Sequence, residues 1–298
     1  MLSDSNIASG FCDLHIHSLF SDGTDTPRSI VAKASDLCLR AIAITDHDTM
    51  NGVPEALESG REYGVLVIPG VELSVDSPCG VIHLLGYGIS WNDIGIQGIF
   101  RRIIEGRVER NVKIIEKLCS LGMELSMAEV KSLAGNCDVV GRPHIAKALI
   151  MKKYASSPEE VFTKYLGSGG KAYAERYRPK LAEAVDIIHK SGGVAVVAHP
   201  GFYKNSCGLN AIQIVDVLRS DGIDGVECYY SHHTADLTMR LIERCRKYHL
   251  LVTGGSDYHG LNKDNIALGV GTGNMRIPSG LVLSLMSSIR DFRQRFTI

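Results

Sequence analysis

The chain has 298 residues, a formal net charge of -1 and 22% charged residues, values of an ordinary soluble globular protein long enough to bury a sizeable core in one or two domains. Near-neutrality argues against a protein that coats duplex DNA or a membrane surface, so an acidic ligand would have to be attracted locally. No apolar run approaches the roughly 18 residues that span a bilayer, and the opening MLSDSNIASG lacks the basic start and apolar core of a signal peptide, so the expected location is cytoplasmic.

The first predicted strand, 12–17 (CDLHIH), puts Asp13, His15 and His17 on one face and Cys12, Leu14 and Ile16 on the other. Two imidazoles then aim at one point, and the following Ser21-Asp22-Gly23 turn can return a carboxylate to it, an arrangement that suits a metal. Alone, His-x-His is a weak signal, because one imidazole is commonly a satisfied core residue and the other solvated. A helix follows over 27–39, opened by Thr26-Pro27, then a strand at 41–47 (AIAITDH), a helix at 54–63, and strands at 66–74 (LVIPGVELS) and 81–88 (VIHLLGYG). Most of these strands are nearly continuous in apolar character, as expected of a parallel sheet covered on both faces.

From about 92 to 177 the strand signals stop. Residues 95–120 carry Ile99, Ile103, Ile104, Val108, Val112, Ile115 and Leu118 at helix spacing, with Arg101, Arg102, Arg107 and Arg110 on the remaining, solvated face. Helix-like segments at 126–134, 142–153 and 158–166 lead to a glycine-rich exit, Leu166-Gly167-Ser168-Gly169-Gly170-Lys171. Strands return at 194–200 (VAVVAHP), 225–230 (GVECYY) and 251–257 (LVTGGSD), with helices over 180–191 and 235–248 between them. Strand–helix alternation implies an α/β barrel or a doubly wound sheet. The expected domains are a discontinuous barrel, 10–91 and 178–298, and a helical insertion, 92–177, that covers the active site. Eight cysteines, at 12, 38, 79, 119, 137, 207, 228 and 245, are scattered singly, which predicts reduced thiols and leaves any metal to nitrogen and oxygen ligands.

The titratable residues fall at strand ends. His15 and His17 close the first strand, His47 the second, Glu72 lies near the end of the third and His83 within the fourth; His199 ends the fifth, and Asp257 with His259 the last. In a parallel barrel all strand C-termini open on one face, so these side chains converge there with Asp22. Six imidazoles and three carboxylates exceed what one ion uses, which predicts two or three divalent ions. Three such ions against three carboxylates leave roughly three positive charges, a local anion site that points to a phosphate ester as substrate.

The set His15-x-His17, Ser21-Asp22-Gly23, Thr45-Asp46-His47, Pro69-Gly70-Val71-Glu72, His83, Ala198-His199-Pro200 and Asp257-x-His259 resembles the polymerase and histidinol phosphatase (PHP) superfamily. That resemblance implies an α/β fold, a distorted (β/α)7 barrel of the PHP type with an inserted helical subdomain. It makes His15, His17, Asp22, His47, Glu72, His83, His199, Asp257 and His259 the ligands of a trinuclear site, with Glu72 as the bridging carboxylate. Manganese, iron or zinc are the implied ions, and the implied reaction is in-line attack on phosphorus by a hydroxide formed at the metals. The insertion, with Gly141-Arg142-Pro143-His144, is similar to that of the group acting as 3',5'-nucleotide bisphosphate phosphatases and 5'-to-3' exoribonucleases. A nucleotide or short RNA is then the expected partner, with no obligate protein partner evident.

Asp13 and Asp46 are expected to stand behind the ligands and orient their imidazoles. Arg142 and His144 are the expected substrate contacts in the insertion, with Lys171 a weaker one beside Arg107 and Arg110; Tyr230 and His232 are further candidates after the sixth strand. His189 and His249 are read as structural or solvent-facing, and the general acid is unassigned, His144 qualifying only by elimination. Three alternatives stand beside this reading. A histidinol-phosphate or other small-molecule phosphatase shares the metal core but has no evident use for the insertion; an amidohydrolase-type hydrolase would want a strand-end lysine that is not found; a catalytically silent PHP binding module should have lost ligands, and none is missing.

Overall fold

Strands that are apolar on both faces need cover on both, and this chain supplies it by alternating them with amphipathic helices. A computed structural model describes residues 7–134, 140–203 and 208–296. Its strands are β1 (Phe11–Ile16), β2 (Leu39–Ile44), β3 (Leu66–Ser77), β4 (Gly80–Tyr87), β5 (Val194–Val197), β6 (Gly225–Tyr230) and β7 (Leu251–Gly255), paired in sequence order in one seven-stranded sheet. Ten α-helices lie among the described residues: α1 (Pro27–Asp36), α2 (Val53–Tyr63), α3 (Ile94–Ser120), α4 (Met127–Ala134), α5 (Arg142–Met151), α6 (Pro158–Val161), α7 (Leu181–Lys190), α8 (Ala211–Leu218), α9 (Ala235–Tyr248) and α10 (Gly280–Phe296).

The sheet curls until β7 meets β1. His17 N–H donates to the Tyr258 carbonyl and Asp257 N–H to the His15 carbonyl, each at 2.9 Å, so the barrel is nearly closed. Gly255 makes this seam possible: a Cβ there would land on the Cβ and backbone nitrogen of His15. Across the interior, the buried Tyr87 hydroxyl of β4 donates to the Leu14 carbonyl of β1 at 2.8 Å. One core fills the barrel and its floor, with Leu14, Ala43, Leu85 and Val196 against Val282, Leu285 and Ile289 of α10. A second lies outside, where Ile42 and Ile44 pack on Ile30, Val31 and Ala34 of α1 and Ala56 of α2. The α1 start matches its sequence signal, Thr26 Oγ1 accepting Ser29 N–H at 3.0 Å ahead of Pro27.

One expectation fails. β4 runs antiparallel to both β3 and β5, whereas the remaining pairs are parallel. Only Pro78 and Cys79 separate the Ser77–Gly80 pair, and parallel neighbours need a crossover of roughly a dozen residues or more. A hairpin is therefore forced, and His83, opposite Ser74, enters the site from the first half of a reversed strand rather than from a strand end.

The chain divides into two units, Met1–Gly98 with Pro179–Ile298, and Ile99–Arg178. The second has its own core, in which Ile114 and Leu118 of α3 pack with Val130, Ile145, Leu149, Val161 and Leu166. The helix α3 is phased differently from its apolar pattern: Ile104, Val108 and Val112 are 37%, 52% and 41% exposed, while Arg110 is only 4% exposed. The described cysteines are free thiols, and Cys137 and Cys207 lie outside the described residues. Among the described residues no helix is long and apolar enough to cross a membrane.

Candidate metal centre

The ends of β1, β2 and β7, the middle of β3, the first half of β4 and the turn after β5 bring all nine expected side chains together. They form four overlapping groups: His17, Asp22, His47 and His259; His15, His17 and Asp257; His15, Glu72 and His199; and His47, Glu72 and His83, the donor atoms of each lying within 4.8 Å of one another. Glu72, fully buried, is the hub. Its carboxylate lies 3.3 Å from His15 Nε2, 3.2 Å from His17 Nε2, 2.9 Å from His47 Nδ1, 2.9 Å from His83 Nδ1 and 3.1 Å from His199 Nε2. Asp22 Oδ1 stands 3.2 Å from His259 Nε2. His199 and Asp257 hold positive φ angles of 27° and 60°, which non-glycine residues adopt at a cost of order 1 kcal/mol or more and which cluster at functional sites.

Burial alone would raise the Glu72 carboxyl, yet His83, His15 and His47 hold it well below the usual carboxylate range. Asp257 is likewise lowered against its burial by His15, His17 and Lys263, and Asp22 by His47, His259 and His17. All three acids are thus anionic at neutral pH. Burial pulls His17 down, but hydrogen bonds that it donates to Asp257 and Glu72 lift it to about 9, whereas burial and the charge on His17 push His259 down to about 4. These donors fit divalent cations. Asp22 Oδ1, Glu72 Oε2 and His47 Nδ1 are buried against ionic neighbours at 2.9–3.2 Å yet make no well-formed hydrogen bond, so their electron pairs remain available to a cation. Imidazole and carboxylate without sulfur suit manganese, iron and zinc.

A PHP domain family model matches residues 13–194, more than half of the chain. The chain belongs to the PHP domain family. This PHP chain is 30% identical over 247 residues to a 3',5'-nucleoside bisphosphate phosphatase of Chromobacterium violaceum, covering 83% of the chain and 86% of that relative. It is 33% identical over 260 residues to the 5'-3' exoribonuclease Rnm of Salmonella typhimurium, covering 87% and 88%. A solved structure from Bifidobacterium adolescentis, described as a metal-dependent phosphoesterase, superposes with a TM-score of 0.81 at 29% identity, over 94% of this chain and 96% of that one.

The acids behind the PHP chain's imidazoles differ from those expected. Asp13 accepts the N–H and Oγ–H of Ser256, the Gly269 N–H and the His15 N–H at 2.8, 2.5, 2.8 and 3.3 Å, clamping backbone rather than an imidazole. Asp46 accepts from Ser18 and Ser21, and reaches His17 only through the Ser21 hydroxyl, 3.5 Å from Nδ1. The acid that does touch an imidazole is Glu227, fully buried on β6, 2.9 Å from His15 Nδ1. The sequence signal for it is a lone acid inside the apolar run GVECYY.

The remaining candidates divide. The Tyr230 hydroxyl donates to Asp257 Oδ2 at 3.1 Å, beside Lys263 Nζ at 2.7 Å, so it supports a carboxylate of the centre instead of standing open to a ligand. His232 is exposed, its ring 5.7 Å from that of Tyr230. Its neighbour His233 donates from Nδ1 to the Cys228 carbonyl and accepts Gly201 N–H at Nε2, joining the end of β6 to the turn after His199. His189 sits against Asp224 at 2.7 Å, and His249 closes α9 in a left-handed conformation.

In the second unit, His144 Nδ1 accepts Gly141 N–H at 3.0 Å, a helix cap, and Lys171 is exposed. Arg142 Nη1 donates to the Leu166 carbonyl at 2.8 Å, with the guanidinium near the rings of Phe162 and Tyr173. Arg110, expected on a solvated face, is instead buried; burial first, then Arg107, Arg142, Arg176 and Arg178, lowers it to about 9. Its Nε donates to Asn111 Oδ1 at 3.0 Å, while Nη2 is buried with no partner. Five arginines gathered in this way repel one another and favour an anion. Accordingly, Arg110→Met should stabilise metal-free protein in phosphate-free buffer by about 1 kcal/mol, seen as a rise of roughly 2 °C in Tm. The gain in Tm that inorganic phosphate confers on the parent should shrink in the variant.

Proposed function

We propose that this PHP chain, a metal-dependent phosphoesterase, removes the 3'-phosphate of nucleoside 3',5'-bisphosphates and acts on the 5' ends of short RNA, the insertion's arginines binding a phosphate that is not cleaved. The observation that carries this reading is that one unit gathers nine side chains able to hold cations around Glu72, while the other gathers five arginines around Arg110, and we read each as a centre for phosphate. A monophosphate has use for only one. The activities named for the C. violaceum and S. typhimurium relatives agree with a doubly anionic nucleotide or oligonucleotide substrate.

Two or three manganese, iron or zinc ions held by the nine side chains would supply Lewis acidity and a nucleophile from water at neutral pH. The chain's own groups set the rest. Glu72 belongs to two of the four groups and so ties their positions together. Tyr230 and Lys263 both donate to Asp257 Oδ2, which leaves Oδ1 to face His15 and His17 at 3.6 and 3.3 Å. His259 donates from Nδ1 to the Asp257 carbonyl at 2.8 Å and thereby presents Nε2 to the centre. Remote binding energy from the second phosphate is then available in the transition state.

Phosphate release measured across a nucleoside 3',5'-bisphosphate, the matching monophosphates, histidinol phosphate and a short 5'-phosphorylated RNA tests the proposal. The bisphosphate should be preferred by specificity constant. Arg142→Ala should keep the parent's metal content and lose roughly thirtyfold of that preference, about 2 kcal/mol for one charge-assisted contact. Arg142→Lys should recover part of it, lacking the planar fork. Equal specificity constants for bisphosphate and monophosphate in the parent would sink the substrate assignment, and metal loss in Arg142→Ala would make that arginine structural.

A further inference from the structure

The geometry points to Glu227 as the positioning residue of one metal position, that of His15, Glu72 and His199, an inference that rests on the metal-centre reading above. Glu227 is fully buried on β6, next to a register shift in the β6–β7 ladder between Glu227 and Tyr229, the kind of bulge that re-aims a side chain. Its two oxygens do different work. Oε1 lies 2.9 Å from His15 Nδ1, and because a carboxylate only accepts, Nδ1 carries the proton and Nε2 is left to the centre. Oε2 accepts the backbone N–H of His199 at 2.8 Å, where φ is 27°.

The two residues so held converge on one atom. His15 Nε2 and His199 Nε2 lie 3.3 and 3.1 Å from Glu72 Oε1, and their rings stack at 5.6 Å with planes 17° apart. Glu227, His15, Glu72 and His199 thus form a closed ring of contacts joining β6, β1, β3 and the turn after β5. Of the two residues that Glu227 touches, His199 belongs only to the group of His15, Glu72 and His199, His15 belongs also to the group with His17 and Asp257, and neither belongs to the group of His17, Asp22, His47 and His259. Removing the Glu227 carboxylate should therefore weaken the His15, Glu72 and His199 position most and leave the His17, Asp22, His47 and His259 group least affected. A glutamine would place an amide N–H₂ against either the His15 N–H or the His199 N–H, and so lose one of the two contacts.

The test measures metal, not only turnover. Purified parent and Glu227→Gln are dialysed, analysed for bound ions and titrated with manganese or zinc against a competing chelator, with thermal unfolding of the metal-free forms as the fold control. The weakest ion in Glu227→Gln should bind roughly ten- to hundredfold less tightly than in the parent, with the tightest ion of the His17 group retained and metal-free unfolding little changed. The double variant Glu227→Gln/His199→Ala should lose no more ions than His199→Ala alone, whereas Glu227→Gln/His259→Ala should lose one more than His259→Ala. If Glu227→Gln does not fold, Glu227→Asp, which keeps the buried charge but reaches only one partner, carries the same comparison. Parent-like affinity in the variant that folds, or equal weakening of every ion, overturns the assignment; a parent without bound metal would overturn the metal-centre reading instead.

Discussion

Glu72→Gln should lower kcat/KM by about a thousandfold or more and reduce the ions retained after dialysis, while the protein stays folded. Glutamine matches glutamate in shape, so the packing of a fully buried side chain is preserved and the change is one of charge. Five imidazole nitrogens lie within 2.9–3.3 Å of this carboxylate, and no other acid in the centre faces so many. Stabilising developing charge through bound ions is worth several kcal/mol, and each decade of rate corresponds to about 1.4 kcal/mol, hence the thousandfold figure. Elemental analysis of the dialysed variant beside steady-state kinetics checks it. Near-normal turnover with full metal content would remove Glu72 as the shared ligand and leave His15 and His17 to organise the centre.

Gly255→Ala should destabilise the protein by about 3 kcal/mol or more, lowering Tm by roughly 6–12 °C, and should disturb metal binding as well. The added methyl collides with the Cβ and backbone nitrogen of His15, atoms fixed by the β1 ladder and by the His15 carbonyl's bond from Asp257 N–H. Neither strand can yield without opening the seam, and three of the nine site residues, His15, His17 and Asp257, carry its backbone bonds. Gly98→Ala is the matched control: no atom lies within 4 Å of its added Cβ, and a helical alanine replaces a glycine, so stability should hold or rise by up to about 1 kcal/mol. Differential scanning calorimetry of the two variants separates a local clash from a general intolerance of alanine.

Much of the site was legible because strand geometry is simple. Alternation puts His15 and His17 on one face, and polar residues ending apolar runs mark where strands open to a ligand, so nine residues scattered from His15 to His259 could be gathered before any fold was known. The reversal of β4 was legible too, since six residues between predicted strands 66–74 and 81–88 leave no room for a crossover helix, but apolar continuity outweighed connection length. Arg110 was hidden for a different reason. Its position fits the stripe Ile99, Ile103, Arg110 and Ile114 of α3 as well as the apolar alternative does, but a guanidinium is rarely buried where an isoleucine would pack, so the charge assigns it to the solvated face. Asp13 and Asp46 sit beside imidazoles in sequence yet bond to backbone and serine hydroxyls, a distinction that adjacency along the chain does not encode.

The seam between β1 and β7 also sets the order in which this protein can become active on the ribosome. His17 joins Asp257 in one group and His259 in another, and the backbone bonds that hold them together run from the chain's first strand to its last. A nascent chain that has passed β4 already holds His15, His17, Asp22, His47, Glu72 and His83, yet those two groups stay incomplete until some 240 further residues after His17 have been made. Incomplete synthesis or loss of the last strand therefore leaves two of the four groups without Asp257 and His259, however completely the first half of the barrel has been made.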